Sequence, residues 1–285
     1  MIKMSYEGYN FLKIRFDRGV LFATIDNPPM NLLNNELYGE FGKLAQEIIK
    51  DNNVKVIVFD SADPDYFIAH YDVSLLLKYP DKVPPKPTQL HGGHQIMEAY
   101  RTMPKVSIAK IEGRVRGGGS EFILALDMRY GAIGKAILGQ IEAPLGIIPG
   151  GGGTQRLPRL IGRSRAMEIV LSGLDYPAEL AEKYGYINRA IPPEEITSFV
   201  NDLAYRIASY PLELIALAKK AVLLALEKPV VEGLIEETHI FNQTCVSPSA
   251  KERMSLFLEL GGQTRAGELD IFKVVDEYTK KVQEK

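Results

Sequence analysis

Between Val20 and Phe59 the chain changes its hydrophobic period twice, and this constrains the fold more than any other feature. Val20-Leu-Phe-Ala-Thr-Ile25 is an apolar run of strand length, closed by Asn27-Pro28-Pro29, whose prolines forbid helix and sheet pairing there. Leu37, Phe41, Leu44 and Ile48 then recur at spacings of 4, 3 and 4, the stripe of an amphipathic helix that Asn34 or Asn35 can cap. Val54-Lys-Val-Ile-Val-Phe59 follows as a second strand. Strand, helix and strand in so short a span predict an α/β architecture with crossover connections.

Further on, Val106-Ser-Ile-Ala-Lys-Ile111 returns to strand character, Gly117-Gly118-Gly119 punctuates, and Ser120–Asp127 reads as a buried helix. The stretch Lys78–His94, with Pro80, Pro84, Pro85, Pro87 and Gly92-Gly93, is expected to be irregular across most of its length, either a loop over a site or a surface connector. From about Ser164 the pattern is helical and is expected to stay so. Leu214, Leu217, Ala218, Ala221, Leu224 and Ala225 share one helical face ending at Lys228-Pro229, and Val230–Phe241 and Ala250–Leu260 supply two more helices. A β-rich first part and a helical last part predict α+β segregation, with the late apolar faces buried on the core or on another subunit.

The length of 285 residues suits one large domain or a core with an appendage, and 46% hydrophobic with 25% charged residues excludes disordered and fibrous classes. A net charge of −2 provides no global field for a polyanion, and the Arg156–Arg159–Arg163–Arg165 block lacks interleaved aromatics, so no nucleic-acid partner is expected. The one cysteine, Cys245, makes neither an internal disulfide nor a cysteine-rich metal site, which fits a reducing cytoplasm. Met1–Asn10 lacks a signal-peptide layout, and the most apolar stretch, Leu214–Leu226, is interrupted by Lys219 and Lys220, so no membrane association is expected. His70, His91, His94 and His239 form no zinc-like framework, and no metal is expected.

Three glycines between a strand and a helix let the backbone pass close to a ligand, where the first helical turn offers N–H groups without internal partners. Such donors suit an anion or a developing oxyanion; the plainer reading is a tight turn requiring positive φ. The sequence is neither a Walker loop nor a Gly-x-Gly-x-x-Gly fingerprint. Glu121 follows the glycines at the start of an otherwise apolar helix, where it can also simply complement the helix dipole. Glu142 sits among apolar residues and glycines in Leu138-Gly-Gln-Ile-Glu-Ala-Pro-Leu-Gly146, just ahead of Ile148-Pro-Gly-Gly-Gly-Gly-Thr-Gln-Arg156. Two carboxyls in an apolar site push their pKa values apart, so that one holds a proton while the other stays ionised.

These junctions, in this order, resemble the crotonase superfamily, also called the enoyl-CoA hydratase/isomerase family. The resemblance spans Ile25–Leu33, Val54–Asp72, Lys105–Asp127, Leu138–Leu160 and Ala181–Ala190. It implies a crotonase-like ββα spiral core over residues 1–203 carrying the active site, then a C-terminal helical oligomerisation domain over 204–285, with assembly as a homotrimer or a dimer of trimers. It also implies an acyl-CoA thioester substrate, with coenzyme A entering as part of the substrate and no separate cofactor. By position, the thioester oxygen is bound by the backbone N–H groups of Tyr71 and Gly118, and Glu121 and Glu142 are the catalytic pair, Glu142 protonating Cα. Ala69, His70, Arg116, Gly117, Pro149 and Gly150 are the further candidates for substrate binding. Retention of both glutamates favours hydration of an enoyl-CoA or dehydration of a 3-hydroxyacyl-CoA. The alternatives are isomerisation, C–C or thioester hydrolysis, or a non-catalytic scaffold that binds CoA esters.

The chain also departs from the family pattern. The loop that commonly reads Ala-Gly-small-Asp is Ala69-His70-Tyr71-Asp72, which leaves His70 as either an acid/base group or a structural residue. Arg114 and Arg116 stand where apolar or aromatic residues are usual. Arg116 suits a carboxylate on the substrate's acyl end, or else faces solvent or a subunit. The usual Phe-x-x-Lys-Arg near the coenzyme A phosphates is replaced by Phe257–Arg265, with Arg265 and Lys273 as unmatched candidates.

Overall fold

A computed structural model describes residues 6–283, so the first half of the Met1–Asn10 stretch lies outside the described residues. The strands are β1 (Leu12–Asp17), β2 (Val20–Ile25), β3 (Val56–Ser61), β4 (Tyr66–Ile68), β5 (Val106–Ile111), β6 (Arg114–Arg116), β7 (Met128–Ala132), β8 (Ile137–Gly139), β9 (Tyr176–Pro177) and β10 (Arg189–Ile191). The first eight helices are α1 (Asn35–Lys50), α2 (Val73–Leu76), α3 (Gly92–Thr102), α4 (Gly117–Ala125), α5 (Gly153–Ile161), α6 (Arg163–Ser172), α7 (Ala178–Tyr184) and α8 (Ile196–Ala208). The remaining ones are α9 (Leu212–Leu224), α10 (Val230–Cys245), α11 (Pro248–Glu259), α12 (Arg265–Leu269) and α13 (Ile271–Gln283).

A six-stranded sheet runs β1-β2-β3-β5-β7-β10, parallel except for β1, and a four-stranded sheet runs β4-β6-β8-β9. The parallel register sets Val20 against Val56 and Val56 against Val106. Both faces of the large sheet are covered, which explains why its strands read as continuous apolar runs rather than alternating ones. On one face, Val20, Phe22, Val56, Val58 and Ile108 pack with Ile196, Val200 and Ala204 of α8. On the other lie α1, α3 and α4. Asn34 caps α1 by accepting from Leu37 N, and Leu37, Phe41, Leu44 and Ile48 are buried as their spacing predicts.

Helix α4 is buried at all nine positions, between the two sheets. Phe122 on it stacks on Phe41 at 4.3 Å between ring centroids and meets Phe59 and Tyr100 edge-on. Any side chain on α4 is thus held by a packed aromatic cluster and not by a mobile surface.

Several sequence expectations are corrected. The buried helix begins at Gly117 and not after the glycines, so the triple glycine forms its first turn. Helix starts at Gly92, inside the stretch expected to be irregular, because the His91 imidazole caps it, accepting from Gly93 N (3.1 Å) and His94 N (3.4 Å). The region after Ser164 is not helical throughout. Tyr176 pairs with Leu138 and β10 pairs with β7, each extending a sheet edge that would otherwise leave backbone groups unpaired. Helix α8, which spans residues 203 and 204, packs on the sheet through Ile196, Val200, Ala204 and Ala208.

Candidate active site

Helix α4 opens with no side-chain cap on its N-terminus, so its first N–H groups are free for another acceptor. Gly117 has φ +50°, which an L side chain adopts only at a cost. The other two glycines answer to close approach. A Cβ at Gly119 would sit 2.6 Å from Ile68 Cβ, and one at Gly118 would sit 3.0 Å from Tyr71 Cβ and 3.5 Å from Tyr71 N. The glycine run is thus a tight turn with positive φ at Gly117 and close backbone packing at Gly118 and Gly119.

Tyr71 reaches the helix through a single parallel bridge to Leu33, in which Leu33 N donates to His70 O (2.9 Å) and Asp72 N donates to Leu33 O (3.1 Å). In a parallel bridge the central residue's own N–H points away from its partner strand. The Tyr71 amide is thus turned from Leu33 and lies beside the Gly118 backbone. Asp72 then caps α2 by accepting from Ser74 N at 2.9 Å, which holds the far end of the loop.

The two glutamates meet on one face of α4. Glu121 is one helical turn beyond Gly117, and a Cβ at Gly117 would lie 3.0 Å from Glu142 Oε1. Glu121 is 3% exposed and Glu142 8%. Their surroundings differ. Glu121 Oε1 accepts from Gly151 N (2.7 Å) and Gly153 N (2.8 Å), so this carboxylate caps the N-terminus of α5 from another part of the chain. Burial pushes its pKa up, while the Gly153 and Gly151 amides and the Arg156 charge pull it back. Glu142 is pushed up to about 7 by burial and then by the negative charge of Glu121. Two buried carboxyls this close titrate as a coupled pair, and the glycine amides on Glu121 favour its ionised form.

Behind Glu142 lies a hydrogen-bonded row that sequence reasoning missed. With its amide oxygen accepting from Ser120 Oγ at 3.1 Å, Gln140 donates to the Glu142 carboxylate at 3.0 and 3.2 Å. Ser120 Oγ is also hydrogen-bonded to the Tyr186 hydroxyl, and all three supporting residues are fully buried. Gln140 was partly legible, since it directly follows β8 and lies two residues before Glu142 in the sequence. Tyr186, from the turn after α7, carried no such signal.

The other candidates are dispersed. Ala69 is buried at the start of the Ala69–Asp72 loop, and His70 is half-buried with Nδ1 2.8 Å from Tyr71 O. A carbonyl only accepts, so His70 Nδ1 carries the proton and Nε2 is the acceptor in the neutral ring. Pro149 is buried under Gly153, where a Cβ would come within 2.9 Å of it, while Gly150 is exposed. Arg116 is engaged by Asp175 in a two-pronged pair, Nε to Oδ1 at 2.7 Å and Nη2 to Oδ2 at 2.6 Å. Among the described residues no three His, Cys, Asp or Glu side chains are grouped to hold a metal ion.

The family model for enoyl-CoA hydratase/isomerase matches residues 15–264. The chain belongs to the enoyl-CoA hydratase/isomerase family. Among curated relatives of this family, it is 33% identical over 243 residues to the "Probable enoyl-CoA hydratase, mitochondrial" of Dictyostelium discoideum, covering 83% of this chain and 84% of that one. It is 28% identical to the short-chain-enoyl-CoA hydratase of Clostridium acetobutylicum, over 84% of this chain and 91% of that one. Its fold superposes on the crystal structure of an enoyl-CoA hydratase from Bacillus anthracis with a TM-score of 0.80 and 28% identity, covering 88% and 96% of the two chains. The protein is thus an enzyme of the enoyl-CoA hydratase/isomerase type, acting on acyl-CoA.

Proposed function

We propose that the chain adds water across the double bond of an enoyl-CoA thioester, or in reverse dehydrates a 3-hydroxyacyl-CoA. The observation that carries this reading is the buried glutamate pair with unequal electrostatics beside two backbone donors. Ionised Glu121 takes a proton from water as its oxygen bonds to Cβ, and the C=C electron pair moves toward the thioester. The enolate oxygen is met by the Tyr71 and Gly118 N–H groups, and Glu142 delivers its proton to Cα. The protonated Glu121 and ionised Glu142 then exchange a proton to restore the starting state.

Coenzyme A enters as part of the substrate, and neither cofactor nor metal has a step in this scheme. The exposed apolar residues Val222, Leu226, Val230, Leu234 and Phe241 of the α9–α10 segment support its role as an assembly unit in a homotrimer or dimer of trimers. No described helix is long and apolar enough to cross a membrane. The single Cys245 supports a cytoplasmic location.

The test is incubation of wild type, Glu121→Gln and Glu142→Gln with short, long, branched and dicarboxylic enoyl-CoA thioesters in heavy water, read by mass spectrometry and NMR. Water addition with deuterium at Cα, reduced by several orders of magnitude in both variants, is the expected result. A shifted double bond or free coenzyme A would move the reading to isomerisation or hydrolysis. Binding without any turnover would leave a non-catalytic CoA-ester protein.

A further inference from the structure

The Gly151–Gly153 segment that holds Glu121 is itself gripped from the opposite side. A Cβ at Gly151 would fall 2.6 Å from Glu121 Oε2, and one at Gly152, at φ +116°, would fall 1.9 Å from Arg156 Nη1. The bare glycine backbone is thus pressed between a carboxylate and a guanidinium. Arg156 Nη1 donates to Gly151 O at 3.1 Å, while Gly151 N donates to Glu121 at 2.7 Å. The same peptide segment is therefore bonded on both sides.

Arg156 is in turn fixed by a chain of charges. Its Nη2 meets Glu98 Oε1 at 2.7 Å, Glu98 Oε2 meets Arg101 Nε at 2.7 Å, and Arg101 meets Glu227 Oε1 at 3.1 and 3.2 Å. Glu98 and Arg101 lie on α3, Arg156 on α5, and Glu227 in the turn between α9 and α10. Arg156 and Glu98 are mostly shielded from solvent, where alternating charges hold their geometry better than an isolated surface pair.

We infer that Arg156 is a positioning residue for Glu121, held by Glu98 and Arg101, and that this chain ties the catalytic carboxylate to the α9–α10 turn. It acts through the glycine segment: its guanidinium bonds go to Gly151 O and Glu98 Oε1 and not to the Glu121 carboxylate. Misplacement of a reacting group by about 1 Å costs on the order of 10²-fold in rate, so a segment with no side chains of its own needs such support. The titratable and charged groups facing Glu121 are Glu142, Arg156 from α5, Tyr38 from α1 and Tyr186 after α7. Of these, Arg156 is the cation.

The kinetic arm of the test rests on the proposed hydration, whereas the exchange arm does not. Amide hydrogen exchange over residues 150–156 is compared in wild type, Arg156→Gln, Arg156→Lys and Glu98→Gln, together with kcat, KM and the pH profile of kcat/KM. Arg156→Gln should exchange at least about 10-fold faster in this segment and lose about 10–100-fold in kcat, with KM changed less than about threefold. Loss of the cation also raises the Glu121 pKa, so the acidic limb of the profile moves to higher pH. Arg156→Lys keeps the charge but not the fork, and should retain the wild-type acidic limb with intermediate exchange. Glu98→Gln should show faster exchange in the same segment and a smaller loss in kcat.

Wild-type exchange at Gly151 and Gly153 in Arg156→Gln overturns the inference, as does a fall in overall stability without a local change. If that variant does not fold, unchanged protection in both Arg156→Lys and Glu98→Gln overturns it. Should the wild type show no hydration, the exchange arm decides the positioning role by itself.

Discussion

Glu142→Gln is expected to make the protein more stable while removing its activity. Glu142 is raised from 4.5 to about 7 in the folded chain, a gap of about 2.5 pH units. At about 1.36 kcal/mol per pH unit this amounts to roughly 3 kcal/mol. Below about pH 4.5 the carboxyl is protonated in both folded and unfolded chains and costs nothing. Between about 4.5 and 7 the unfolded chain releases its proton and the folded chain keeps it, so stability falls as the pH rises, and above about 7 the full cost is present. A glutamine cannot ionise, and its carbonyl still accepts from Gln140, so it keeps the local hydrogen bond and escapes the penalty.

The assay is urea denaturation of wild type and variant at equal protein concentration, at pH 5 and pH 8.5. The variant should gain roughly 3 kcal/mol at pH 8.5 and less than about 1 kcal/mol at pH 5. A variant less stable than wild type at pH 8.5, or a difference that does not change with pH, would refute the claim that burial and Glu121 hold a proton on Glu142.

Gly119→Ala places a methyl group 2.6 Å from Ile68 Cβ and 2.9 Å from Ile68 O, so denaturation should show a loss of about 1–3 kcal/mol and turnover should fall with it. Tyr71→Pro removes the oxyanion N–H and should lower kcat by roughly 10²–10³, whereas Tyr71→Phe keeps it and should stay within about threefold. Equal rates in the two would remove Tyr71 from the oxyanion hole. Arg116→Met breaks the pair with Asp175, which is half open to solvent, and should cost less than about 1 kcal/mol in a melt. Its effect on KM should be the same for neutral and dicarboxylic thioesters; a selective rise for the latter would show the guanidinium leaving Asp175 for the substrate.

Local structure was legible wherever a hydrophobic period is long and uninterrupted. Val20–Ile25 and Val106–Ile111 occupy the expected strands, and the Leu37–Ile48 stripe is the buried face of α1. Where a cap or a tertiary edge intervened, the sequence misled. His91 caps α3 at Gly92, inside the proline- and glycine-rich stretch Lys78–His94, and the short strands at Tyr176 and Arg189 exist because neighbouring strands leave an edge to pair. Of the candidate site, the glycine turn and both glutamates stood out, since a carboxyl in an apolar, glycine-rich setting is anomalous in itself.

The sequence by itself determined that this chain folds as an α/β core with a helical extension, and that Glu121 and Glu142 are present with a donor-rich glycine turn. Only the tertiary structure decided that the glutamates share one face of α4, that Glu121 accepts two glycine amides while Gln140 meets Glu142, and that Asp175 engages Arg116. It alone joined Gln140 to Tyr186 and Arg156 to Glu227. The physical reason is separation along the chain: Glu121 binds amides 30 and 32 residues away, and Arg101 binds Glu227 across 126. Hydrophobic period reports which face of an element is buried, but what that face meets is set when distant elements pack together.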